Sequence, residues 1–92
     1  MELLFSHTLI VSPDTLVNFT GEEAVLLNLK TETYYGLDDV GTDMWKALTS
    51  TESIQSAYDR LLAEYDVAPA ALEKDLREFI DRLLGLGLLS LA

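Results

Sequence analysis

A chain of 92 residues, 49% of them apolar and 24% charged, holds one packed core and not two, so residues 1–92 read as a single domain. A formal net charge of −10 argues against a nucleic-acid partner, whose phosphates are bound through lysine and arginine, and the lack of cysteine excludes disulfides, thiolate metal sites and a cysteine nucleophile. The start, MELLFSHTLIV, has neither a basic leader nor a long apolar run, and the apolar stretch LLGLGLLSLA covers only the last ten residues where a bilayer needs about 20, so the expectation is a soluble, cytoplasmic protein without a membrane partner.

In chain order, LLFSHTLIV (residues 3–11) reads as an irregular strand, ended by a turn at Pro13 and Asp14. LVNF (16–19) is a short extended piece before a turn at Thr20 to Glu22. EAVLLNLKT (23–31) is the clearest strand, with Val25, Leu27 and Leu29 on one face and Leu26 and Asn28 on the other. A tight connection at Lys30 to Glu32 leads into ETYYGL, which makes an antiparallel hairpin; Tyr35 and Leu37 share a face, and Tyr34 and Gly36 take the opposite one.

From residue 38 the spacing turns helical. Asp38 or Asp39 suits the N-cap of a helix carrying Val40, Met44, Trp45 and Leu48, with Trp45 in the core. Ile54, Ala57, Tyr58, Leu61, Leu62 and Tyr65 mark a second helix, capped by Thr49 with Glu52 or by Thr51 alone. Pro69 opens a third, carrying Leu72, Leu76, Phe79, Ile80, Leu83 and Leu84 and stopped by Gly85 and Gly87. Strands first and helices afterwards define an α+β domain.

Signatures of catalysis are lacking. The lone histidine, His7, falls in the first predicted strand without a partner to make it a general base, and no serine sits in a nucleophile-elbow context. Asp38, Asp39 and Asp43 lack the alternation and closing glutamate of a calcium loop, and the glycines do not form a phosphate-cradling motif. No catalytic residue, metal or cofactor is therefore assigned. The stripe on the third helix is wider than one needed to sit on a small sheet, so part of it suits a groove. An edge strand such as ETYYGL can receive an extended peptide or simply stand as a guarded edge.

Three segments together carry a family resemblance: AVLLNLKTETYYGLDDVGTDMWKAL, IQSAYDRLLAEYDV and LEKDLREFIDRLLGLGLL. With them, residues 23–89 resemble the PqqD-like family, the RiPP recognition elements that bind leader peptides of ribosomally made precursors. YYGLDDVGTDMW is similar to the stand-alone leader-binding proteins of lasso-peptide pathways. The quinone-pathway relatives carry a Tyr-Pro-Glu-Gly turn where this chain has LKTET.

The resemblance implies a winged-helix-turn-helix-like fold, with a three-stranded antiparallel sheet followed by three helices. It implies a non-catalytic adaptor that takes the leader as an added strand along Thr31, Glu32, Thr33, Tyr34 and Tyr35. The leader's side chains would enter a cleft bounded by Leu72, Asp75, Leu76, Phe79, Ile80 and Leu83. Asp75 and Arg77 either select charged leader residues at the rim or are plain solvated surface. The implied partners are the precursor leader, a separate cysteine leader peptidase and the cyclase, with the protein a monomer or weak homodimer. The alternatives are a leader-binding chaperone for a radical enzyme and a winged-helix DNA-binding regulator. The second is opposed by the four acids against three bases in LEKDLREFIDRLL.

Overall fold

The computed structural model describes residues 4–92. Its elements are β1 (Leu9–Val11), β2 (Thr15–Thr20), β3 (Glu23–Asn28), β4 (Thr33–Leu37), α1 (Asp39–Ser50), α2 (Ile54–Glu64), α3 (Pro69–Gly85) and β5 (Leu89–Leu91). Strands β2, β3 and β4 form one antiparallel sheet in that order and the three helices follow it, the α+β arrangement expected from the sequence.

Alternation along the strands decides which face is covered. Leu26 pairs with Val17 on one side and Tyr35 on the other, and Ala24 with Phe19 and Leu37, so these residues share the inner face. Ala24, Leu26 and Leu37 are buried there against Trp45 of α1, Leu83 of α3 and the pair Leu88 and Leu89. A second cluster joins the helices through Met44, Leu48, Ile54, Leu61, Leu76 and Ile80. Helix α3 contributes to both clusters, and each fully buried leucine or isoleucine stabilises the fold by about 1.5–3 kcal/mol.

The N-terminal third departs from the sequence reading. The strand expected over residues 3–11 is reduced to Leu9–Val11, with Leu3 outside the described residues, and His7 precedes β1 instead of lying within it. The reason lies at the start of α2. The backbone carbonyls of Phe5 and His7 accept hydrogen bonds from the N–H groups of Gln55 (2.7 Å) and Ile54 (3.0 Å), which no turn of that helix could satisfy. Strand β1 then pairs with β5 in the register Leu9–Leu91, Ile10–Ser90 and Val11–Leu89, so the apolar C-terminal run is a strand that closes the domain.

The caps and turns differ in detail as well. Asp38 caps α1, its Oδ1 accepting from the Gly41 N–H at 2.7 Å. Helix α2 is capped by Ser53, whose Oγ accepts from the Ser56 N–H, and not by Thr49 or Thr51. The hydroxyls of those two threonines donate back to the carbonyls of Trp45 and Ala47 in the last turn of α1. Pro69 begins α3 as expected, and Gly87, at φ +74°, supplies the left-handed residue that turns the chain from α3 into β5. Among the described residues no helix is long and apolar enough to cross a membrane.

Strand β3 stops at Asn28, three residues short of the predicted end, because that side chain organises the turn. Its Oδ1 accepts from the N–H groups of Lys30 (3.0 Å) and Thr31 (3.3 Å), while its Nδ2 donates to the Leu86 carbonyl after α3 (3.1 Å). Thr31 and Glu32 therefore lie in the turn and not in β4, with Glu32 in the left-handed region at φ 55°. Asn28→Ala leaves three polar groups without that partner and should lower stability by about 2–3 kcal/mol in urea denaturation.

Candidate functional site

Strand β4 pairs with β3 along one edge, and no described strand covers the other. Backbone N–H and C=O groups on that second edge point outward at alternate residues, ready to pair with an extended chain. Tyr35 and Leu37 turn their side chains inward. Tyr34, 70% exposed, and Gly36 face outward.

Across from this edge, helical spacing divides α3 into stripes. Leu72, Leu76, Ile80 and Leu83 are buried, and Leu76 and Ile80 have no exposed surface at all. Asp75, Phe79 and Arg82 form the adjoining row, since residues three and four apart fall on one helix face. This row lines a groove of about 410 Å³ opposite Gly36 and Leu37 of β4. The first turns of α1, through Asp38, Val40, Gly41 and Met44, close the groove at one end. A smaller cavity of about 150 Å³ adjoins it and shares Val40, Met44 and Asp75. Leu61, Tyr65, Val67 and Leu72 give that cavity an apolar wall.

Of the residues expected from the sequence, Thr33, Tyr34 and Tyr35 lie on the open strand, and Asp75 and Phe79 line the groove. Leu76, Ile80 and Leu83 belong to the core, where packing against the sheet and the other helices consumes them, and Leu72 reaches only the smaller cavity. Arg77 is no rim residue of the groove. Two positions from Asp75, it projects from another side of α3, where its guanidinium lies 4.6 Å from the centre of the Phe5 ring and meets Glu73 at 3.7 Å.

Val40, Met44 and Arg82 went unassigned in the sequence, although extending the Asp75–Phe79 row by three residues reaches Arg82. The approach of α1 to the groove is a tertiary event with no periodic signal. Chemically, the groove combines an unsatisfied strand edge, apolar surface from Phe79, Val40 and Met44, and charges of both signs at Asp38, Asp75 and Arg82. Such a lining suits an extended peptide with apolar side chains.

One polar link stabilises the wall of the smaller cavity. The Tyr65 hydroxyl donates to the Asp43 carboxylate, joining the end of α2 to α1. That hydrogen bond, with lesser contributions from burial and from the charges of Asp43, Asp39 and Glu64, pushes the Tyr65 pKa up to about 12.

The coenzyme PQQ synthesis protein D family matches residues 23–89. The structure of TbiB1 in complex with the TbiA(beta) leader peptide is similar to this chain at a TM-score of 0.82 with 36% identity, covering 87% of this chain and 93% of the other. A lasso peptide synthetase B1 complexed with its leader peptide superposes at a TM-score of 0.80 with 23% identity, covering 89% and 96%, and shares the fold. No curated protein matches the chain.

Because folding favours the neutral Tyr65 phenol, the stability it contributes is full below pH about 10, the unfolded value, and is lost as pH rises through about 12. An ultraviolet titration should show a late tyrosine step near pH 12 that is missing in Tyr65→Phe. The stability difference between parent and variant should shrink over the same window.

Proposed function

This chain belongs to the PqqD family of RiPP recognition elements, and from that membership we propose that it captures the leader peptide of a ribosomally made precursor by strand addition to β4. The observation that carries the reading is the juxtaposition of an unpaired strand edge with the Asp75–Phe79–Arg82 face of α3 across one groove. Main-chain hydrogen bonds to β4 supply affinity independent of leader sequence. Alternate leader side chains enter the groove toward Phe79, Val40 and Met44 and supply selectivity.

The relative at 36% identity binds the TbiA(beta) leader peptide, which supports a lasso-pathway leader as the ligand here. In this role the protein is a non-catalytic adaptor that presents the bound leader to a separate cysteine leader peptidase and thence to the cyclase. The lining of the groove supports that division of labour, because it sets apolar and charged binding surface beside an open strand edge. The balance of acids and bases on α3 disfavours the DNA-binding alternative, and steeply salt-dependent binding of duplex DNA would overturn the adaptor reading.

Two measurements test the binding mode by calorimetry, with the TbiA(beta) leader peptide as titrant. Phe79→Ala should weaken leader binding by about 2 kcal/mol, a typical loss for an aromatic anchor, and lower folding stability by less; equal losses would place Phe79 in the core alone. Neighbouring N–H groups of β4 point to opposite edges, so one of Thr33→Pro and Tyr34→Pro removes an outward donor. That variant should keep most of its melting temperature and bind leader at least about tenfold more weakly. Unchanged leader affinity in both proline variants would rule out pairing along β4.

A further inference from the structure

Gly36, the fourth of five residues in β4, stands there for no reason that the isolated fold supplies. Its φ is not positive, and a Cβ built on it would meet no heavy atom within 4 Å. A glycine inside a strand weakens it, and where conformation and packing do not require one, close approach by a ligand is the remaining physical use. Gly36 also lies at the joint of two open spaces. It lines the groove toward α3, and it borders a hollow of about 300 Å³ together with Glu23, Val25 and Leu37.

The outer face of the sheet beside it defines what could cover it. Gly36 pairs with Val25 of β3, and Leu27 pairs with Tyr34, so these four share the outer face of the sheet. Val25 is 37% exposed and Tyr34 70% exposed, which leaves a saddle of bare backbone between two apolar side chains. A large side chain on an adjacent strand covers such a glycine well, as aromatic residues do in cross-strand pairs with glycine.

We propose that Gly36 is a specificity-determining residue, and that the bound peptide places a large apolar or aromatic side chain over it on the outer face of the sheet, against Val25 and Tyr34. The proposal rests on strand addition to β4. It adds a second point of selection, on the face of the sheet away from the groove. Side chains of an added strand alternate between faces, so the residue read by Gly36 is a sequence neighbour of one that enters the groove toward Phe79.

The test uses peptides selected from a displayed random library on the parent protein, with affinities measured by fluorescence anisotropy against the parent, Gly36→Ala, Gly36→Val and Phe79→Ala. The selected peptides should share one position held by tyrosine, phenylalanine, tryptophan or a large aliphatic residue. Gly36→Val should fold with an unchanged or higher melting temperature and bind these peptides about tenfold or more weakly, with Gly36→Ala between it and the parent. Trimming the shared peptide residue to alanine should abolish the difference between parent and variant. Equal affinity of parent and Gly36→Val, with Phe79→Ala still impaired, would overturn this assignment and leave strand addition standing. Selection of no peptide by the parent would overturn both.

Discussion

The structure depends on how α3 divides its surface. Leu76 and Ile80 are buried in one hydrophobic cluster and Leu83 in the other, which fixes the stripe of α3 that faces the core. That packing sets Asp75, Phe79 and Arg82 across the groove from Gly36 and Leu37 of β4. Dense packing on one stripe is what makes an open cleft on the next possible.

The hairpin supplies the other wall, and Asn28 is its fastening. A buried amide that serves the turn with its oxygen and the segment after α3 with its nitrogen ties the β3–β4 connection to the same helix that forms the groove. Strand β4 is thereby positioned from both ends, by Asn28 before it and by the Asp38 cap immediately after it. A strand tethered at both ends has less conformational entropy to lose on pairing than a free one.

An unpaired edge is also a hazard, since it can pair with any extended chain. Sixteen acidic residues against six basic ones set two copies of this protein in mutual repulsion, which works against edge-to-edge association. The same charge favours encounter with cationic segments. Gly36 fits this picture, because it weakens the strand as a template for indiscriminate pairing while leaving room for a side chain of suitable size.

Periodicity alone determined much of the fold. The alternation in EAVLLN, the helical stripes from Met44 to Leu83, a cap at Asp38 or Asp39 and the start at Pro69 are local preferences that tertiary contacts reinforce, and the structure keeps them, with Asp38 as the cap. The pattern of residues 23–89 likewise carried the family. Tertiary structure alone decided the pairing of β1 with β5, because nothing near Leu9 in sequence reveals that its partner is Leu91. It also separated groove from core on α3. Leu76 and Phe79 are equally apolar in sequence, and only the positions of the sheet and of α1 determine that one is sealed and the other left facing the edge of β4, since burial belongs to the arrangement of elements and not to any single element.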